Sequence, residues 1–372
     1  MNSLKKYIAL AVAMLVPFAM VSSANAADET VNATTNLTPR NGPFYKEKAV
    51  ASNLKIDVSA NTPVSSPKVN PLKNVKVTFP AGMTFNPNDS KTPVCPDSKL
   101  STTSNLADPE GVVNSCKTSV VGTGTATIII AKINNNPNTV VSDPILVAFN
   151  GGKNSQGQPK LKIYGYSKYT NVGILMDGTL KGSVLDIAVP VLSNDSAVRF
   201  FDLEFPGPVL NRPDIGVNTQ GRDPNYVMAK CASSPLKTNA VFELGERTYP
   251  GGTPTTPTTT VSSPETTQDC TGQAGKAKLG VTKLAGPSAV KNGKKGSYKI
   301  TIKNNGTATA KNVVVTNNRG GKGKGGNIAP GKSKTIAVKA KISGKKGKKV
   351  AVKFTAKAGN VKVVKTKQVK VK

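Results

Sequence analysis

The feature that most constrains the fold is an alternation of branched apolar residues with lysine or small residues near the end of the chain. It runs through residues 298–303, 336–342 and 350–354. A period of two residues places the apolar side chains on one face of a β-strand and the lysines on the other. Turn-forming residues separate such segments at 304–306, 319–321, 329–331 and 343–347. The pattern predicts about seven short strands in an immunoglobulin-like sandwich over 277–372.

The same region carries most of the net charge. Residues 276–372 contain 27 Lys or Arg and no Asp or Glu, and the formal net charge of the whole chain is +31. This asymmetry predicts a polyanionic partner: nucleic acid, an anionic membrane surface or an acidic polymer. Lysine outnumbers arginine there by 26 to 1, which favours diffuse contact over bidentate phosphate recognition. A disordered basic tail is the alternative, but such tails do not usually keep a strict alternation.

The N-terminus has the features of a secretory signal peptide. Lys5 and Lys6 precede an apolar run at 7–21, and small residues follow at 24–26. We therefore expect cleavage after Ala26 and a secreted, extracellular or envelope-associated protein. The run of about 15 residues is short for a transmembrane helix, which needs about 20. An uncleaved anchor is the alternative.

Four cysteines follow the predicted signal peptide. Their positions in the sequence favour the pairs Cys95–Cys116 and Cys231–Cys270, although three connectivities are open. A four-cysteine metal site would need closer spacing. Each disulfide is expected to stabilise the fold by about 3–4 kcal/mol.

Length and pattern then divide the chain. The roughly 346 residues after the signal peptide exceed one ordinary core, so two domains are expected. Short apolar runs bounded by turn-forming residues recur through 44–270, and no helical apolar period extends over eleven residues. The prediction is an all-β chain of two β-sandwich domains, the second immunoglobulin-like. Its segments are a signal peptide at 1–26, a flexible polar segment at 27–43, a disulfide-containing sandwich at 44–270 with a Thr/Pro-rich loop at 249–268, a linker at 271–276 and a Lys-rich domain at 277–372.

The basic region resembles a known family. Its segments 298–306, 310–315 and 328–331 are similar to the immunoglobulin-like repeats of bacterial and archaeal surface proteins, including the cell-adhesion-related family called CARDB. The match covers most of 277–365 and implies an immunoglobulin-like fold. The chain departs from the family because it lacks the acidic residues that often flank the second strand.

The first domain carries a second resemblance. Segments 78–87, 94–96 and 116–126 are similar to a part of large secreted proteins of soil actinobacteria. Those proteins also carry a later cysteine pair around a polar loop, as Cys231 and Cys270 do here. The resemblance implies a secreted β-rich protein and assigns no reaction to it.

Candidates for catalysis are few. The chain has no histidine, which excludes Ser-His and Cys-His nucleophile pairs and the usual His-containing metal sites. Asp202 and Glu204 stand two residues apart on a predicted strand and would share a face, as the carboxylates of a glycosidase could. A solvated strand face is the favoured interpretation of this pair. Asp108 and Glu110 flank a proline and are interpreted as a solvated turn.

Two segments contain residues suited to Ca²⁺ or to phosphate. Asp214, Asp223 and Asn225 carry oxygen atoms suited to Ca²⁺, but their spacing matches no recognised calcium loop. The glycine-rich segment 320–326 lacks the terminal Lys-Ser/Thr and the following helix of a phosphate-binding loop, so it is predicted to be a flexible basic loop. The sequence therefore predicts no catalytic residue, no cofactor and no metal ligand.

What remains is charge. The sequence indicates a secreted, non-enzymatic cell-surface or extracellular protein whose basic domain attaches electrostatically to anionic cell-wall polymers or another extracellular polyanion. The expected contact residues are Lys299, Lys303, Lys322, Lys324, Lys339, Lys341, Lys345, Lys346, Lys348, Lys349, Lys353 and Lys357. Tyr298 and Phe354, the only aromatic residues of 276–372, are expected to point inward, which disfavours base stacking. The alternatives are an extracellular protein that binds nucleic acid without sequence specificity and a secreted hydrolase that uses Asp202 and Glu204.

Overall fold

The computed structural model describes residues 29–61, 70–101, 106–130, 139–190, 196–245 and 258–372. The predicted signal peptide lies outside these residues. Within them the chain is nearly all β, with short helices only, so the prediction of an all-β fold is confirmed. No helix in these ranges is long and apolar enough to cross a membrane.

Strands dominate the chain before residue 270. They are β1 (Thr30–Pro39), β2 (Val50–Asn61), β3 (Leu72–Thr78), β4 (Thr84–Phe85), β5 (Val120–Ile130), β6 (Thr139–Val141), β7 (Ile145–Lys153), β8 (Pro159–Ser167), β9 (Val172–Lys181), β10 (Val184–Ala188), β11 (Ser196–Phe205), β12 (Leu210–Arg212), β13 (Val217–Thr219), β14 (Val227–Ala229), β15 (Leu236–Leu244), β16 (Thr259–Ser262) and β17 (Thr266–Gln268). Alternation explains many of them. In β2, for example, Leu54, Ile56 and Val58 are buried and the residues between them are partly exposed, so one face of the strand packs on the core.

Fifteen of these strands form a single sheet. Its main path runs β16-β15-β3-β10-β9-β8-β7-β5-β11-β2-β14-β4, while β1 pairs with β2, β17 with β15 and β6 with β5. The sheet curls until β1 meets β15 and β17. There the Leu37 amide donates to Gln268 Oε1 at 2.8 Å and the Thr266 hydroxyl donates to the Ala33 carbonyl at 2.8 Å. The sheet thus wraps around one apolar core.

Strand β1 corrects the prediction of a flexible segment at 27–43. Its residues Thr30–Pro39 pair antiparallel with β2 over their whole length. Ala33 and Leu37 are buried in the core. The segment contains few apolar residues, but the sheet provides backbone partners on one side and side-chain partners on the other. Pairing rather than composition orders it.

Two short helices cover part of the outer side of the sheet: α1 (Asp97–Ser101) and α2 (Pro109–Ser115). The Cys95–Cys116 disulfide joins the chain around them, as predicted. Asp108 is the N-cap of α2, because its carboxylate accepts a hydrogen bond from the Gly111 amide at 3.0 Å. Asp108 and Glu110 are exposed, as the solvated interpretation implies, but they belong to the start of a helix rather than to a turn, and the Asp108 carboxylate stabilises that start.

The second predicted disulfide, Cys231–Cys270, is also present. Between these cysteines, the predicted loop at 249–268 contains β16 and β17, which both pair with β15, so only part of it can be a loop; residues 246–257 lie outside the described ranges. The predicted linker 271–276 is held against the first domain. The Gln273 amide donates to the Phe44 carbonyl at 2.8 Å, and the Lys46 amide donates to the Gln273 carbonyl at 3.2 Å.

Residues from 277 onward have a separate apolar core. The strands are β18 (Leu279–Ala285), β19 (Ala289–Val290), β20 (Lys295–Asn304), β21 (Ala310–Asn317), β22 (Lys322–Ile328), β23 (Ser333–Lys341), β24 (Lys349–Ala358) and β25 (Val361–Val371). A three-stranded sheet, β18-β20-β23, faces a five-stranded sheet, β19-β25-β24-β21-β22. The rings of Tyr298 and Phe354 lie 5.2 Å apart in the core between them, so both aromatic residues point inward as predicted. The immunoglobulin-like assignment of this domain stays a prediction.

The glycine-rich segment 320–326 was predicted to be a flexible loop, and this was wrong. Most of it belongs to β22, which pairs with β21. A Cβ atom at Gly321 would lie 1.8 Å from the Lys339 carbonyl oxygen, and one at Gly323 would lie 2.5 Å from the Ala337 carbonyl oxygen. The glycines therefore let the backbone of β22 lie against β23 and close one side of the sandwich.

Candidate functional site

The twelve predicted contact lysines do not form one surface. All are exposed except Lys303, which is half-buried. The outer face of the three-stranded sheet carries Lys299, Lys303, Lys339 and Lys341. The outer face of the five-stranded sheet carries Lys322, Lys324, Lys353 and Lys357. The remaining four lie at one end of the domain, at and beside the turn between β23 and β24.

Backbone hydrogen bonds bring two further segments of the basic domain, 291–295 and 370–372, to that end. The Ile342 amide donates to the Lys294 carbonyl at 2.9 Å, and the Gly347 amide donates to the Val371 carbonyl at 2.8 Å. These bonds gather ten exposed lysines, which we call the distal lysine cluster: Lys291, Lys294, Lys295, Lys341, Lys345, Lys346, Lys348, Lys349, Lys370 and Lys372. The cluster brings together ten of the 26 lysines of residues 276–372.

The distal lysine cluster lies at the end of the domain away from the first domain. Strand β20 begins at Lys295 in the cluster and ends at Asn304. Near Asn304, the Thr307 amide donates to the Lys276 carbonyl at 2.8 Å, and the Thr309 amide donates to Glu47 Oε2 of the first domain at 2.7 Å. A ten-residue strand spans about 30 Å. That length separates the cluster from the contact with the first domain.

Like charges face each other in the cluster. Lys295 pairs with Lys341 across β20 and β23, and Lys349 pairs with Lys370 across β24 and β25. Opposed like charges in a sheet destabilise it, by about 0.2–1 kcal/mol per pair. No cation of 276–372 forms an ion pair with a described residue. A solvated lysine face can protect a sheet from aggregation, but mixed charges would achieve this with less repulsion.

Besides the distal lysine cluster, a row of lysines crosses the five-stranded sheet. Lys362 pairs with Lys357, Lys357 pairs with Val314, and Val314 pairs with Lys324. Sequence reasoning missed Lys362 and half of the distal lysine cluster. The signal that could have identified them is strand register, which the alternation of a single strand does not contain.

The carboxylates of Asp202 and Glu204 do share a face of β11, but each is engaged. The Thr125 amide donates to Asp202 Oδ1 at 3.2 Å, and the Thr125 hydroxyl donates to the same oxygen. Glu204 Oε1 lies 3.9 Å from Lys55 Nζ, which lies 3.4 Å from Asp57 Oδ1. The surroundings favour the solvated, partly ion-paired strand face over a reacting pair.

The three oxygen-bearing residues that the sequence offers for Ca²⁺ have structural partners within the protein. The Arg212 guanidinium donates to both carboxylate oxygens of Asp214, at 2.8 and 2.9 Å, and holds the pKa of that carboxyl well below its ordinary value. Asp223 is buried and accepts a hydrogen bond from the Asn225 amide at 2.8 Å. In the part of the chain that the structure describes, no three acidic or cysteine side chains gather into a potential metal site.

Comparison with known proteins gives no family assignment. No protein-family model matches the chain, and a search of curated proteins finds no significant relative. The two resemblances of sequence therefore stay predictions, and the function must be argued from the geometry.

Proposed function

We propose that this is a secreted, non-enzymatic protein whose C-terminal domain attaches to an anionic polymer of the cell envelope or its surroundings. The observation that carries the proposal is the distal lysine cluster in a region that contains no Asp or Glu. Ten exposed cations without a carboxylate partner repel each other in the free protein, and a bound polyanion would relieve that repulsion while releasing its counterions. Export rests on the predicted signal peptide and is supported by the two disulfides, which are typical of oxidising compartments.

The arrangement favours a flexible polymer over a structured nucleic acid. Lysines occupy two opposite sheet faces and one end, so no single groove reads a defined shape. Lysine makes point-charge contacts that tolerate many geometries. Tyr298 and Phe354 are buried, at 0% and 1% exposure, and cannot stack on bases. A wall polymer with repeated phosphate or uronate groups suits these properties best.

The position of the cluster also fits attachment. The first domain contacts the opposite end of the basic domain, where Thr309 donates to Glu47 of the first domain. The segment around Gln273 is bound to the first domain by backbone hydrogen bonds. A polymer bound at the distal lysine cluster would therefore leave the first domain projecting away from the surface. This orientation is useful if the first domain carries a separate activity.

The test compares two full-length variants with equal charge loss. One replaces Lys345, Lys346 and Lys348 with glutamine; the control replaces the exposed lysines Lys91, Lys99 and Lys153 of the first domain. Binding to polyphosphate and to polygalacturonate is measured by calorimetry between 50 and 500 mM NaCl. We expect the first variant to bind at least about tenfold more weakly and its log K against log salt to become shallower by about 2, because three contacts are lost.

Three results would count against the proposal. Equal losses in both variants would show that net charge and not the cluster determines binding. Affinity that persists unchanged at 500 mM salt would exclude a mainly electrostatic mode. Tighter binding to duplex DNA than to either polymer at equal salt would favour the nucleic-acid alternative.

A further inference from the structure

The first domain contains a cavity of about 80 Å³ inside the curled sheet. Residues of β5, β8, β9 and β11 line it, together with parts of neighbouring strands. The cavity reaches the surface, because Val172 on its rim is 41% exposed and Ile174 and Met176 are half-buried. By the measure in which one water needs about 10–15 Å³, it has room for several water-sized groups.

The lining is almost entirely aliphatic. Among the described residues that line the cavity, only Tyr166, Ser167 and Thr170 have polar side-chain atoms, and none is charged. These three lie close together in sequence at the end of β8 and after it. The Ser167 hydroxyl donates to an Asp143 carboxylate oxygen at 2.7 Å, and the Tyr166 hydroxyl donates to Asn171 Oδ1 at 3.2 Å. The interior therefore offers water few partners, and such cavities stay dry or hold an apolar ligand.

Gly165 lines the cavity although no close approach of the backbone requires a glycine there. A Cβ atom at Gly165 would meet only side chains, the nearest being Leu146 Cδ2 at 3.3 Å and Ile174 Cγ1 at 3.5 Å. Gly124, on β5, is different, because a Cβ there would lie 2.0 Å from the Asp202 carbonyl oxygen. Gly124 is thus required by a close backbone approach, whereas Gly165 is bounded only by the ends of flexible side chains, which would have to move by a few tenths of an ångström to admit a Cβ. Protein interiors are normally close-packed, so an accessible unfilled space in this core calls for an occupant.

We propose that this cavity binds a linear aliphatic chain, such as the alkyl tail of a lipid or of a fatty alcohol. The lining is built mainly from Val, Ile, Leu and Met side chains, and it has no charged group to fix a polar ligand. A flexible alkyl chain fills such a space and buries its methylenes at little cost in polar contacts. The site belongs to the first domain and is independent of the distal lysine cluster.

The experiment titrates full-length protein with 1-hexanol, 1-octanol and 1-decanol by calorimetry. We expect saturable binding at one site per chain, with affinity that rises about fourfold per added methylene until the cavity is full. A comparison of decanoate with 1-decanol shows whether the site accepts an alkyl chain with a charged head group or one with a neutral head group. Absence of saturable binding, or affinity that does not change with chain length, would overturn the proposal.

Variants that fill the cavity give an independent readout. Gly165→Leu and Ala126→Leu each place a side chain in the space, because both positions line it. Ala188→Leu adds the same group at an exposed position of β10 and is the control. We expect the filling variants to fold cooperatively and to bind 1-decanol at least about tenfold more weakly, while the control binds as the parent protein does. Unchanged binding in both filling variants would overturn the proposal, as would failure of both to fold, which would show that the space is not free.

Discussion

The two domains use charge in opposite ways. In the first domain cations are neutralised locally: Lys73 Nζ lies 2.6 Å from Glu243 Oε1 and Lys181 Nζ lies 2.8 Å from Asp186 Oδ2. In the second domain the lysines of the distal lysine cluster face other lysines and form no ion pair with a described residue. The difference separates charge that holds a fold together from charge that is left for a partner. It also shows why a net charge of +31 for the whole chain conceals the feature that matters.

The two domains also differ in the interactions that stabilise their folds. The first contains two disulfides, at Cys95–Cys116 and Cys231–Cys270. Two short α-helices lie on the outer side of its sheet. The second has no cysteine and relies on long paired strands around one core. Reduction should therefore act on one domain alone.

The largest expected effect comes from removing the disulfides. Replacing Cys231 and Cys270 with serine should lower the free energy of unfolding of the first domain by about 4 kcal/mol, and replacing Cys95 and Cys116 by about 3 kcal/mol, because the closed loops differ in length. Hydrogen exchange should become faster throughout the first domain and stay unchanged in β24. Equal acceleration in β24 would show that the two domains unfold as one unit.

The next effect tests a buried charge. Lys162 is 2% exposed, and its ammonium group contacts the largely exposed Asp97 carboxylate, whose pKa it lowers. Asp97→Asn should cost about 2 kcal/mol in urea unfolding, less than the 3–5 kcal/mol of a fully buried pair, because solvent reaches the carboxylate side. Asp89→Asn, at an exposed position that forms no ion pair with a described residue, is the control and should change stability by no more than about 0.5 kcal/mol. Equal losses of stability in both variants would show that the ion pair between Lys162 and Asp97 does not stabilise the first domain.

The sequence indicated some parts of this fold better than others. Alternation within a strand identified β20, β23 and β24, and the sequence-local cysteine pairs were the ones that form. Strand β1 was missed because its polar residues are ordered by partners distant in sequence. Strand β22 was missed because glycine normally indicates a loop, and here it allows close backbone packing.

The candidate sites show the same limit. Exposure of individual lysines follows from strand phase, but the distal lysine cluster depends on hydrogen bonds between two turns and the end of β25. Register across strands is not contained in the period of any one of them. The apolar cavity could not be predicted either, because it depends on the volume left between five or more strands. Local chemistry was predictable, and its assembly in space was not.

A smaller effect should separate stability from binding in the second domain. Lys349→Glu would replace a like-charge pair with an opposite-charge pair facing Lys370, so unfolding at low salt should require about 0.5 kcal/mol more. The same change should weaken polyphosphate binding, because it removes a member of the distal lysine cluster. At 500 mM salt the stability gain should shrink. A variant that is both less stable and weaker in binding would remove the distinction between structural and functional charge.

The smallest expected effect concerns Glu47, a carboxylate of the first domain that contacts the basic domain. The Thr309 hydroxyl and amide both donate to Glu47 Oε2 and lower the pKa of this carboxyl, with smaller contributions from Lys311 and Lys230. A lowered pKa in the folded state means that the contact stabilises above the unfolded value of about 4.3 and is lost as pH falls through the folded value. The amide resonance of Thr309 should therefore shift between pH 5 and pH 3 in the parent protein and not in Glu47→Gln, which keeps an acceptor oxygen without a titrating group. An identical shift in both would show that the contact between the domains does not depend on this charge.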